Sequence, residues 1–236
     1  MNAELHLRNR LPAELVTACE EQMAKIGRWK GGLVESKLPE FNLDHVNSLH
    51  FLASEVRESY PALSTFFDWD AITDMIDIHD VGEIISGDLV RSQGDYAEIK
   101  AKHKRKERLG FVVLANKYIK DETARAEVLA TYRRYVDLDE HDPEALFTHL
   151  LDKIQAVRFG LSNVYNDKIL PMNLSLIQAT KSVDLIFEFA TPLLKITSGR
   201  VRSDLFALVQ VEIGRYRING FPALAAEART RLFDHK

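Results

Sequence analysis

Asp77-Ile78-His79-Asp80-Val81-Gly82-Glu83-Ile84-Ile85-Ser86-Gly87-Asp88 puts four carboxylates and one histidine into a stretch that otherwise reads as core. Ile72, Met75, Ile76, Ile84 and Ile85 recur at helical spacing, which predicts one buried helix through this region. Charges buried without partners are costly, so these need something to hold them. His79 and Glu83 are four apart and Asp80 and Glu83 three apart, which on a helix places them on adjoining faces of one turn. An imidazole beside carboxylates suits a divalent ion that accepts nitrogen and oxygen donors together. Gly87 is the expected stop, with Asp88 where the chain turns back over the site. A His-Asp dipeptide alone is as ordinary as a helix cap, and this stretch alone supplies too few ligands for a metal.

Working outward toward the N-terminus, Asp68-Trp69-Asp70 is a good start for the central helix. Before it, a helix is expected from Asn42 or Asp44, either of which can cap it, to about Tyr60, with Val46, Leu49, Leu52, Ala53 and Val56 as its apolar face. His45 and His50 lie in its first two turns, and either is a candidate ligand or an ordinary solvated histidine. Arg28-Trp29-Lys30-Gly31-Gly32-Leu33 is turn-like. There Trp29 is a core anchor and Arg28 a surface charge, or the backbone approaches an anion that Arg28 grips with its guanidinium fork. Leu11 to Ile26 forms a first helix with Pro12 in its first turn and a stripe of Leu15, Val16, Cys19, Met23 and Ile26, stopped by Gly27.

Downstream, a charged helix is expected from about Asp95 to Lys120, and its Lys100–Lys106 segment is the most basic part of the chain. Such a run is a solvated face or, alternatively, a rim that attracts phosphate. Glu122 to Tyr135 follows, capped by Asp121; the acidic connection 137–142 holds His141 but lacks calcium-loop spacing. A helix starting at Pro143 runs past Asn163 with Leu146, Phe147, Leu150, Leu151, Ile154, Val157 and Leu161 inward, and Asp152 beside that stripe. The last third reads as helices over about 174–196, interrupted near Pro192, then 203–216 and 222–233, completing the core or forming a subunit contact. Strand-like alternation is almost absent, so the fold class is all-α.

A chain of 236 residues can bury a proper core. Its net charge of -4 gives no basic field for a nucleic acid polymer. Cys19 is the single cysteine, which excludes an intrachain disulfide framework and a cysteine-based zinc site. The start MNAELHLRNRL has no signal-peptide core, and no apolar run approaches the ~18 residues of a membrane span, so no membrane partner and a cytoplasmic setting are expected.

Together, these motifs resemble the HD-domain metal-dependent phosphohydrolases, and within them the nucleoside 5'-monophosphatases of the 5'-deoxynucleotidase group. Their signature His-Asp-x-x-Glu followed by Gly-Asp stands here as His79-Asp80-Val81-Gly82-Glu83 and Gly87-Asp88. Their frame His-x-x-x-hydrophobic-x-x-x-Ala fits His45 to Ala53, which favours His45 over His50. Their distal aspartate, on the same helix as a Glu-Ala step, matches Glu144-Ala145 and Asp152, and Arg28-Trp29 stands where the group carries an Arg-Trp pair. The likeness covers roughly Gly27 to Asn163.

That resemblance implies a single HD-type helical domain over 1–236, with a core of about 27–165 and a C-terminal helical extension of about 166–236. It implies one divalent metal ion on His45, His79, Asp80 and Asp152: manganese, cobalt, iron, nickel or zinc, with magnesium less suited to two histidines. Glu83 would position or deprotonate a water, Asp88 would face the sugar or leaving oxygen, and Arg28 and Trp29 would bind the substrate. The implied reaction converts a (deoxy)nucleoside 5'-monophosphate to nucleoside and phosphate, in a homodimer. Alternatives are another phosphorylated metabolite, a nucleotide polyphosphate, or a regulatory HD protein without turnover.

Overall fold

The computed structural model describes residues 13–27, 40–87, 96–164 and 172–234. They are helical, with no strand among the described residues beyond one isolated antiparallel bridge between Gly27 and Phe41. The all-α expectation holds. Arg28, Trp29, Asp88 and Pro12 lie outside the described residues.

The chain divides into two compact units, one holding residues up to Ser48 and Thr73–Asp137, the other Leu49–Ile72 and Leu138–Lys236. In the first unit, α1 (Ala13–Met23) buries Leu15, Cys19 and Met23. Burial pushes the Cys19 thiol up to about 12, so it is a small apolar filler and not a nucleophile. The unit also holds the start of α2 (Asn42–Ser59), the end of α4 (Trp69–Ile78), α5 (Glu83–Ser86), α6 (Tyr96–Tyr118) and α7 (Glu122–Asp137). Asp121 caps α7 as expected, its Oδ1 accepting the Ala124 N–H at 2.7 Å. Phe111 of α6 stacks on Tyr132 of α7 with ring centroids 3.9 Å apart.

Two expectations for this unit need correction. Asn42 does not cap α2; it is the first helical residue, and Asp44 instead reaches back to accept the Phe41 N–H at 3.2 Å. The central stretch is not one continuous helix. It breaks after Ile78 into a tight turn over 79–82, closed by Val81 N–H to Ile78 O at 3.2 Å and Glu83 N–H to Asp80 O at 3.0 Å, before α5 begins. The break lets Gly82 press against α6: a methyl group at Gly82 would fall on the Glu107 carbonyl oxygen, and one at Gly110 would lie 2.8 Å from the Gly82 carbonyl oxygen. Both glycines are therefore steric requirements of a close backbone approach. Gly87, at φ 72, then stops α5 as expected.

The second unit holds the rest of α2, α3 (Pro61–Phe66), the start of α4, α8 (Pro143–Phe159), α9 (Met172–Ile196), α10 (Gly199–Ile218) and α11 (Pro222–Phe233). Asp68 Oδ1 accepts the N–H groups of Asp70 and Ala71, and Asp142 Oδ1 that of Ala145, so α4 and α8 start on carboxylate caps. The whole expected stripe of α8 from Leu146 to Leu161 is buried, and a π-helical turn continues it over 160–164. Each large aliphatic chain so placed contributes ~1.5–3 kcal/mol. α9 runs unbroken through Pro192, contrary to the expected interruption. The missing amide costs one helical hydrogen bond, while Ala190, Leu193 and Leu194 around it are buried and keep the segment helical. A buried Glu212 on α10 bonds Arg158 of α8 at 2.6 Å and Arg215 at 3.0 Å, and Arg158 also forks onto Glu55 of α2.

Candidate metal centre

The first unit brings three of the expected side chains together. His45, in the first turn of α2, is fully buried, whereas His50 is only half-buried. The break after α4 places His79 and Asp80 at the start of the turn, both buried. His45 Nε2 lies 3.3 Å from His79 Nε2 and 3.9 Å from Asp80 Oδ2, and His79 Nε2 lies 3.3 Å from the same carboxylate oxygen. The His79 ring also meets Tyr135 edge-on, with centroids 5.7 Å apart.

The His79 Nδ1–H donates to the Ile76 carbonyl at 2.7 Å, which fixes the tautomer and leaves the Nε2 lone pair facing His45 and Asp80. Two imidazole nitrogens and a carboxylate oxygen thus converge on one point. Donor atoms around a first-row ion with bonds of ~2.1 Å stand about 3–3.5 Å apart. The observed separations match that spacing closely enough for the residues to fit a divalent cation.

Glu83 is set by the same break. Its Oε2 accepts a hydrogen bond from Asn42 Nδ2 at 2.6 Å, so Asn42, one of the two residues expected to cap α2, instead orients this carboxylate. Behind it, His103 and Glu107 project from one face of α6, and ligand atoms of Glu83, His103 and Glu107 all lie within 4.8 Å of one another. Burial, and after it the Asp80 charge, push the Glu107 carboxyl from 4.5 up to about 7, with His79, Lys104 and Arg108 offsetting this only in part. Tyr132 is pushed upward too, by burial and then by Glu107. Sequence reasoning missed His103 and Glu107. The signal was their four-residue spacing inside a helix whose lysines drew the eye. Lys100, Lys102, Lys104, Arg105 and Lys106 are indeed a solvated face.

Asp152 belongs to the second unit, on α8, where it is buried with Lys153 Nζ 2.6 Å from its Oδ2. His141 is exposed and bonds Asp139, whose carboxyl is held below its ordinary range by the His141 N–H and ring. That is a turn motif and not a metal ligand set.

No family model matches the sequence, and no curated protein matches it. Among solved structures, that of a predicted metal-dependent phosphohydrolase from Magnetospirillum magnetotacticum MS-1 is similar, with a TM-score of 0.52 and 18% identity, covering 86% of this chain and 93% of that one. The chain therefore shares the all-α fold of a protein described as a metal-dependent phosphohydrolase.

Proposed function

We propose that this chain is a metal-dependent phosphohydrolase that cleaves a phosphomonoester. The observation that carries the reading is the buried convergence of His45 Nε2, His79 Nε2 and Asp80 Oδ2 within 3.9 Å, with the His79 tautomer fixed from behind. The shared fold is consistent with it. His45, His79 and Asp80 hold a divalent ion of the manganese, cobalt, iron, nickel or zinc type, and the HD-domain resemblance adds Asp152 as the fourth ligand. When bound, such an ion polarises a phosphoryl oxygen and acidifies water at neutral pH.

The chain's own residues supply the rest. Glu83, oriented by Asn42, accepts the proton of the attacking water. Asp88 attends the sugar or the leaving oxygen, and Arg28 and Trp29 meet the phosphate end of the substrate. The resemblance supports a (deoxy)nucleoside 5'-monophosphate as that substrate, in a homodimer in the cytoplasm. It also supports 1–236 as one HD-type domain.

The test is phosphate release from a panel of nucleoside 5'-monophosphates by metal-stripped protein supplied with manganese, cobalt, zinc or magnesium. Metal-dependent release is expected, falling about 10²–10⁴-fold in Glu83→Ala and to background in Asp80→Ala. Silence across the panel with an ion demonstrably bound would overturn the substrate, and failure to bind any ion would overturn the centre.

A further inference from the structure

We propose that Glu83, His103 and Glu107 form a second cation position in the first unit, taking a divalent transition ion of the zinc, cobalt or manganese type. One imidazole and two carboxylates present donor atoms within 4.8 Å of one another, all three side chains partly buried. This is the mixed nitrogen and oxygen donor set that borderline ions accept. Closing onto an ion draws the atoms together by up to roughly 1.5 Å, within the reach of glutamate rotamers.

The backbone around the cluster is rigid where it needs to be. His103 and Glu107 are one turn apart on α6, and the Gly82–Gly110 approach fixes α6 against the turn that carries Glu83. Two carboxylates with ligand atoms within 4.8 Å of each other are better accommodated with a cation between them.

Asn42 gives an independent indication. Its side chain is fully buried and its amide nitrogen grips Glu83, yet its carbonyl Oδ1 has no hydrogen-bond partner among the described residues. Both ends of an amide sit on one carbon, so this orphaned oxygen lies beside the Glu83 carboxylate. A buried carbonyl oxygen in that place is a hard donor awaiting a cation or a water that a cation holds. The Asn42 bond does not exhaust Glu83, whose carboxylate offers further lone pairs.

The proposal shares Glu83 with the hydrolase reading but concerns binding only. It is tested by calorimetric titration of metal-stripped full-length protein with zinc and with cobalt, for wild type, His79→Ala, His103→Ala and Glu107→Gln. Wild type is expected to bind two ions. His79→Ala should lose one of them, and His103→Ala and Glu107→Gln should each weaken the other by at least about 10-fold. Glu107→Gln preserves shape and decides the matter if His103→Ala does not fold. One ion in wild type, unaffected by Glu107→Gln, overturns the proposal, as do two ions that survive it. An ion lost in Glu107→Gln but kept in His79→Ala sustains this position while removing the centre on which the hydrolase reading depends.

Discussion

Glu107 carries the clearest signature of its surroundings. Its folded value of about 7 exceeds the ordinary 4.5 because burial, and then Asp80, disfavour the carboxylate. Between those two values the folded chain retains a proton that the unfolded chain has lost. Stability of the metal-free protein therefore falls as pH rises from about 4.5 to about 7 and levels off above. Glu107→Gln removes the titrating group, so the variant should lose that component of the slope. Denaturant midpoints of both proteins in the presence of chelator, across roughly pH 4–8, measure it; parallel curves would mean that Glu107 titrates normally. At this scale the sequence was partly legible. The His79-Asp80 pair could be singled out by its apolar setting, whereas His45 was preferred over His50 only through the HD-domain resemblance. His103 and Glu107 could not, because they sit among exposed cations and their facing partner, Glu83, comes from another element. No periodicity within one helix reports what a second helix presents to it.

The start of α8 at Pro143 and the all-α class followed from local apolar spacing, whereas the α-helix ends at Phe159, short of the expected run past Asn163, and gives way to a π-helical turn. The break at 79–82 did not follow, because the apolar pattern of Ile72, Met75, Ile76, Ile84 and Ile85 spans it at helical spacing. What interrupts the helix is α6, whose backbone comes so close that only glycine fits at position 82. Pro192 misleads in the opposite direction: a local breaker is overruled by buried neighbours on α9. Gly82→Ala is accordingly expected to destabilise the protein by ~1–3 kcal/mol, through the Glu107 carbonyl and not through backbone strain. Its φ of -61 is ordinary for alanine. Thermal unfolding of Gly82→Ala against wild type reads the loss, and an unchanged melting temperature would show that α6 can retreat at no cost.

Across the whole molecule, the notable feature is that neither compact unit is a continuous stretch of chain; the path passes between them after Ser48, Ile72 and Asp137. The second unit needs Leu49–Ile72 as much as its own C-terminal helices. Ala62 N–H on α3 donates to Asp204 at 2.9 Å, and Glu55 completes the Arg158–Glu212 network. A fragment of residues 138–236 is thus expected to lack a cooperative melt and a near-ultraviolet dichroism signal, having lost α3 and half the partners of Arg158. A sharp transition in that fragment would show that Leu49–Ile72 is dispensable.

The same interleaving bears on how the chain is made. Ala62 leaves the ribosome 142 positions ahead of the aspartate that will receive its amide. At ~5–20 residues per second it waits roughly 7–30 s, far longer than a helix takes to form. During that interval the first unit can close, since its last residue is Asp137, while Leu49–Ile72, with its apolar Leu52, Val56 and Leu63, awaits the remainder of the second unit. Nascent chains stalled between about residues 140 and 200 are the ones that would solicit a chaperone.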